Sequence, residues 1–124
     1  MNARLVILCL DDQATALELE IRKRVLEIAG YGVMTATTGQ DALELFRKNH
    51  VDLVLTEEIE PVFTLAAIKV LMPEVPIAIY SAHWEASAEH MRFADVWMSK
   101  LLSANEFLRA IENLLAKTPP AAAA

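Results

Sequence analysis

The chain has 124 residues, 55% of them hydrophobic and 23% charged, and a formal net charge of −6. That length suits one domain able to bury most of its apolar surface, the apolar runs are too short to span a bilayer, and an acidic balance without clustered lysine and arginine argues against a nucleic-acid partner. The amino terminus, MNARLVILCL, lacks the pattern of a cleaved signal peptide, so a soluble, cytoplasmic protein is expected, with the lone Cys9 a small buried hydrophobe in a reducing compartment.

Leu5 to Leu10 is a continuous apolar run ending in Asp11 and Asp12, which predicts a buried strand with acids at its exit. From Thr15 to Ala29, Leu17, Ile21, Val25 and Ile28 recur every three or four positions among charged residues, the pattern of an amphipathic helix. Thr15 and Glu18 offer a capping box at its start, and Gly30 suits the left-handed residue that ends it. Val33 to Ala36 predicts a second strand, and Ala42, Leu43, Leu45 and Phe46 give the buried face of a helix over 40–49. A third strand is expected over 52–56 and a helix over 63–71, which must stop before Pro73. Ile77 to Tyr80 predicts a fourth strand leading to Ser81, followed by a weak helix over 84–92. Asp95 to Met98 predicts a fifth strand leading to Ser99 and Lys100. Ser103 and Glu106 form a further capping box before a helix to Lys117, and residues 118–124, TPPAAAA, are expected to be a frayed tail outside a single domain of residues 1–117.

Five strand and helix units joined by short connections predict a doubly wound α/β domain, a parallel sheet covered by helices on both faces. In such a sheet the site lies beyond the carboxyl ends of the strands. Asp11, Asp12, Glu57, Ser81 and Lys100 arrive there, and the stretch Val51 to Pro61, an apolar strand ending in Glu57, Glu58 and Glu60, is its centre. No P-loop, nucleophile elbow or dinucleotide fingerprint is present in the sequence.

The ordered motifs LVILCLDD, ATTGQDALELF, IAIYSA and MSK resemble the receiver domain of two-component response regulators, from Leu5 to Lys117. The resemblance implies a CheY-like, flavodoxin-like sheet of five parallel strands in the order 2-1-3-4-5. It also implies a site in which Asp11 and Asp12 hold Mg²⁺ with the carbonyl of Ile59, Ser81 and Lys100 engage a phosphoryl group, and Trp97 is the switch aromatic. At the acceptor position the family has aspartate and this chain has Glu57. A glutamate sets its carboxylate about 1.5 Å farther out, and in-line phosphoryl transfer depends on positioning of that order. Asp52 is no substitute, because at about 3.3 Å per residue it lies roughly 16 Å away at the opposite sheet edge.

Glu57 is therefore expected either to hold the domain in a fixed state by offering negative charge to Ser81 and Lys100, or to be a degenerate residue in a domain retained for its binding surface. Three readings follow. The first is a pseudo-receiver acting by protein contact, through the fourth helix, fifth strand and fifth helix, with a sensor kinase or output protein or as a homodimer. The second is a Mg²⁺-dependent phosphoacceptor on Glu57, and the third a small anion-binding module beside Lys100. Mg²⁺ is plausible on Asp11 and Asp12, whereas an ion pair of Glu57 with Lys100 would make it dispensable. Other departures from the family are the missing glycine after Pro61, a shorter interval from Glu57 to Ser81, Leu101 where proline commonly follows the lysine, and a first helix about a turn longer. His83 and Trp84 are candidates to gate the crevice, Trp97 is expected to be half-buried packing, His50 and His90 surface residues, and Glu58 and Glu60 a solvated loop.

Overall fold

The computed structural model of the chain describes residues 4–59, 62–83 and 85–117. The expectations for Glu60, Pro61, Trp84 and residues 118–124 lie outside the described residues. In chain order the elements are β1 (Val6–Leu10), α1 (Ala16–Ile28), β2 (Gly32–Ala36), α2 (Gly39–Lys48), β3 (Leu53–Thr56), α3 (Phe63–Leu71), β4 (Ile77–Ser81), α4 (Ala88–Met91), β5 (Val96–Ser99) and α5 (Ala104–Lys117). The strands form one sheet in the order β2-β1-β3-β4-β5, every neighbouring pair parallel. This is the doubly wound α/β architecture expected from the alternation of strand and helix.

Successive residues of a strand point to opposite faces, and a parallel sheet covered on both sides needs apolar residues on each. Leu8, Leu10, Val54, Ile77 and Ile79 therefore pack with Ala42, Phe46, Leu65 and Ile68 of α2 and α3. Ile7, Cys9, Leu53, Leu55 and Ala78 pack on the other face with Leu19, Leu26, Phe107 and Ile111 of α1 and α5. Complete burial pushes the Cys9 thiol up to about 12, so it stays protonated and serves as packing.

Local signals set the helix ends. Thr15 Oγ1 accepts from the Glu18 amide at 3.1 Å, and Gly30, at φ 106°, closes α1 in the left-handed region where a side chain would be strained. The Ser103 amide donates to Glu106 Oε1 at 2.9 Å while the Glu106 amide donates to Ser103 Oγ at 3.2 Å, the reciprocal pair of a capping box. Gly39 permits α2 to begin against α3, because a Cβ there would lie 2.6 Å from Thr64 Oγ1.

Two expectations need correction. Of the stripe read along α1, Leu17, Ile21 and Ile28 are 69%, 55% and 87% exposed while Val25 is half-buried against the core, and the fully buried positions are Leu19 and Leu26. The stripe facing the sheet is Leu19, Arg22 and Leu26, also at spacings of three and four, and the arginine in its middle disguises it. The second correction is to α4, which occupies only Ala88–Met91. Ser87 caps it, its Oγ accepting from the His90 amide at 3.3 Å, while the Ser87 amide is drawn to Glu58, and Glu85 and Ala86 lie outside the helix.

Candidate functional site

The strand order brings Asp11, after β1, beside Glu57, after β3, and the Glu57 amide extends the ladder by donating to Leu10 O at 2.9 Å. Ser81 ends β4, and the Lys100 amide donates to its carbonyl at 2.8 Å as β5 leaves the sheet. From there Lys100 Nζ reaches back across the crevice to Asp11 Oδ2 at 2.9 Å and Glu57 Oε2 at 2.8 Å. The sheet thus unites Asp11, Glu57, Ser81 and Lys100 at one edge, as expected. Asp12 turns outward, exposed, and accepts a 3.3 Å bond from Gln13 Nε2. The Leu101 amide donates to Ser99 Oγ at 3.0 Å, a bond that a proline there could not make.

Arg22 is a member of the site that the sequence reading missed. Its Nη1 donates to Asp11 Oδ2 at 2.9 Å, and its guanidinium carbon lies 4.8 Å from the centre of the Tyr80 ring. Tyr80 is itself packed on Phe107, ring centres 5.0 Å apart. The other Asp11 oxygen, Oδ1, accepts from the amides of Gln13 and Ala14 at 2.8 and 2.9 Å. Burial raises the Asp11 carboxyl, but bonds from Lys100, Gln13 and Arg22 outweigh it and hold it below the ordinary carboxylate range. Burial likewise disfavours the charged Lys100, and its bonds to Glu57 and Asp11 reverse that, raising its pKa.

The second half of the crevice corrects several expectations. Glu58 is no solvated loop residue, since its side chain is 8% exposed. Its Oε1 accepts from Ser81 Oγ at 2.7 Å and from His83 Nδ1 at 2.8 Å, and its Oε2 accepts from the Ser87 amide at 3.1 Å. Ser81 is therefore held by Glu58 and not by Glu57, whose Oε1 instead accepts from the Glu58 amide at 2.9 Å. Burial raises the Glu58 pKa, and the bonds from His83, Ser81 and Ser87 more than reverse it, for a net lowering. The same bond to Glu58 raises His83. His90 is not a surface residue. It is buried, with Nε2 2.9 Å from the Ile59 carbonyl and Nδ1 2.8 Å from Ser87 Oγ. A carbonyl can only accept, so Nε2 carries the proton. His50 is exposed, as expected, and pairs with Asp52 at 2.7 Å. Asp52 also accepts from the Val6 amide at 2.8 Å, at the entry ends of β1 and β3, far from the crevice.

These bonds test the expected Mg²⁺ ligands. An ionised carboxylate offers about four acceptor positions, and Asp11 has two donors on each oxygen. The Ile59 carbonyl is bonded to His90, which leaves the exposed Asp12 as the least committed of the three expected ligands. The residues as arranged do not fit the ion. Among the described residues no group of three or more histidine, cysteine or acidic side chains is disposed to hold a metal.

Trp97 pairs with Ile79 across the sheet and packs half-buried against the core on the α2 and α3 side. Its Nε1, among the described residues, is the buried side-chain polar atom without a hydrogen-bond partner. With Ala82, His83, Ser99 and Leu101 it lines a hollow of about 400 Å³ beside the crevice. Glu58 and Arg22 had weak signals in the sequence: a second acid directly after the acceptor position, and an arginine at a core-facing helical position.

A parallel five-stranded sheet in this order, with an acid, a hydroxyl and a lysine at adjacent strand ends, is the architecture of a receiver domain. No protein-family profile matches the chain. The transcriptional regulatory protein ZraR of Escherichia coli is 31% identical over 119 residues, which cover 90% of this chain and 26% of that protein. A receiver-domain protein of Clostridium thermocellum, known from its crystal structure, is 26% identical with a TM-score of 0.78, over 91% of this chain and 95% of that one. A CheY-like receiver domain of Methanospirillum hungatei shares the fold at a TM-score of 0.80 and 24% identity, over 93% and 96% of the two chains. The chain belongs to the receiver domains of two-component response regulators. It spans about a quarter of the length of the curated regulators it matches. Among the described residues no helix is long and apolar enough to cross a membrane.

Proposed function

We propose that this receiver domain is a pseudo-receiver, which signals through protein contact from a crevice closed by its own carboxylates and not by phosphorylation. One observation carries the reading. The two side chains that would engage a phosphoryl group, Lys100 and Ser81, are already bonded to carboxylates, Lys100 to Glu57 at 2.8 Å and Ser81 to Glu58 at 2.7 Å. Glu57 is buried and both of its oxygens accept bonds within the protein, so an in-line approach to it would first have to break them.

The alternative that Glu57 is a working phosphoacceptor requires Lys100 and Ser81 to be released together. An anion-binding module requires a cation free to receive the anion, and Lys100 spends its charge on two carboxylates. The reading places residues 1–117 as one receiver unit in the cytoplasm, acting on a sensor kinase, an output protein or a second copy through the surface of α4, β5 and α5. Incubation with acetyl phosphate is expected to leave the wild-type chain free of acid-labile phosphate. Stoichiometric acid-labile phosphate, lost in Glu57→Gln, overturns the proposal.

A further inference from the structure

We infer that Arg22 is a built-in replacement for the divalent cation of this crevice, so that the domain takes up its folded arrangement without Mg²⁺ and is indifferent to it. The inference deepens the pseudo-receiver reading and rests on its premise that the chain's own groups fill the crevice.

The charges argue for it first. The acidic pair of a receiver crevice and the carboxylate at the acceptor position repel one another unless positive charge lies among them. Here Asp11 and Glu57 are buried, and Arg22 and Lys100 stand against them, with Asp11 Oδ2 accepting from both at 2.9 Å. These two buried acids are matched by two fixed cations. A further dication entering beside Asp11 would have to displace one of those cations or share the carboxylate with it. Mg²⁺ gains little from such a position, because it demands near-octahedral oxygen ligands and gives up its water reluctantly.

The placement of Arg22 argues for it second. The Arg22 side chain is only 10% exposed and the Asp11 side chain not at all, so the pair is shielded from the solvent screening that weakens surface ion pairs. The guanidinium is also held in place before any ligand arrives. Its helix position is fixed by burial of Leu19 and Leu26 on either side, and its carbon sits 4.8 Å from the centre of the Tyr80 ring. The counter-charge is part of the chain itself, so it stays in place where a metal's occupancy would vary with supply.

The test is a titration with magnesium chloride at constant ionic strength and without a phosphodonor, following the amide signals of Asp12, Gln13 and Ala14. The wild type is expected to show no saturable shift at millimolar Mg²⁺. Arg22→Met keeps the apolar stem and removes the charge, and it should bind Mg²⁺ at least about tenfold more tightly, equivalent to about 1.4 kcal/mol. Arg22→Lys should restore indifference. Saturable wild-type binding as tight as that of Arg22→Met overturns the inference, as does a folded Arg22→Met that stays indifferent. If Arg22→Met does not fold, the side-chain N–H signals of Arg22 in the wild type decide the matter. They should persist through the titration, and their loss on adding Mg²⁺ overturns the inference. A wild type indifferent to Mg²⁺ yet phosphorylated by acetyl phosphate would sink the pseudo-receiver reading alone, whereas one that binds Mg²⁺ and takes no phosphate would sink only the role of Arg22.

Discussion

The two halves of the crevice are built from the same materials and behave differently. On the β1 side, Asp11, Arg22, Lys100 and Glu57 form a closed set of opposite charges whose members are buried or nearly so. On the β4 side, Glu58 gathers Ser81, the Ser87 amide and His83, and His83 is 75% exposed. The first half is a set of carboxylates and cations bonded to one another, and its strength depends on every partner being present. The second includes a group that gains or loses its proton near neutrality, so its strength follows pH. Side by side, they separate what keeps the crevice shut from what can still change within it.

Removing Lys100 should break the comparison on its stronger side. Lys100→Met takes one of two cationic partners from Asp11, leaving it Arg22 and the amides of Gln13 and Ala14, and takes the Lys100 charge from Glu57, both in buried positions. The cost expected for orphaning a buried charge is about 3 kcal/mol, discounted toward the low end because Lys100 is partly exposed. Urea unfolding should therefore show a lower midpoint at an unchanged slope, whereas Glu57→Gln added to Lys100→Met should recover part of the loss. No recovery in the double variant would mean that the lysine acts by packing.

The weaker side has a smaller expected effect. Glu58→Ala removes the acceptor for three donors, Ser81 Oγ, His83 Nδ1 and the Ser87 amide. Leaving the buried Ser81 hydroxyl without that partner should cost about 1–2 kcal/mol. The loss should be local, with faster amide exchange at His83 and at Ser87 and His90 around the start of α4, while exchange in β1 and β3 is unchanged. Equal acceleration across the sheet would show that the two halves are one cooperative unit.

The sheet, its helices and four of the site residues were legible because each rests on a short-range rule. Apolar runs ending in acids, a hydroxyl or a lysine mark strand exits, and the capping residues Thr15 and Ser103 mark helix starts. What was not legible depended on which face of a helix or loop turns inward. On α1 the apolar residues Leu17, Ile21 and Ile28 point to solvent, and the stripe that packs carries a charge, since Arg22 finds its partner in Asp11 at the exit of β1 and a platform in Tyr80 of β4. Periodicity cannot separate two such stripes. For Glu58 and Glu57, one position apart in sequence, the pattern gives no means of dividing Lys100 and Ser81 between them. His90 was misjudged for a related reason. Its burial is made possible by the Ile59 carbonyl and Ser87 hydroxyl, which arrive from separate parts of the chain.

The smallest expected effect is the pH dependence of the Glu58 and His83 contact, and its sign follows from the two shifts. The bond to Glu58 raises the His83 pKa above its ordinary 6.5, so this contribution to stability is fully present below that value and is lost as pH rises through the raised one. Glu58 is lowered from 4.5: burial opposes its charge, but its bonds from His83, Ser81 and Ser87 prevail. Its contribution is present above 4.5 and is lost as pH falls through the lowered value. The contact is therefore strongest between about 4.5 and 6.5. Following the His83 ring signal against pH should give a midpoint above 6.5 that returns toward it in Glu58→Gln, which keeps an acceptor and removes the charge. Stability of the wild type should decline slightly as pH rises through that midpoint, and His83→Gln should flatten the decline without moving the buried set around Asp11. A midpoint that ignores Glu58→Gln would assign the shift to Glu57 instead, and would couple two halves whose charged side chains pair separately.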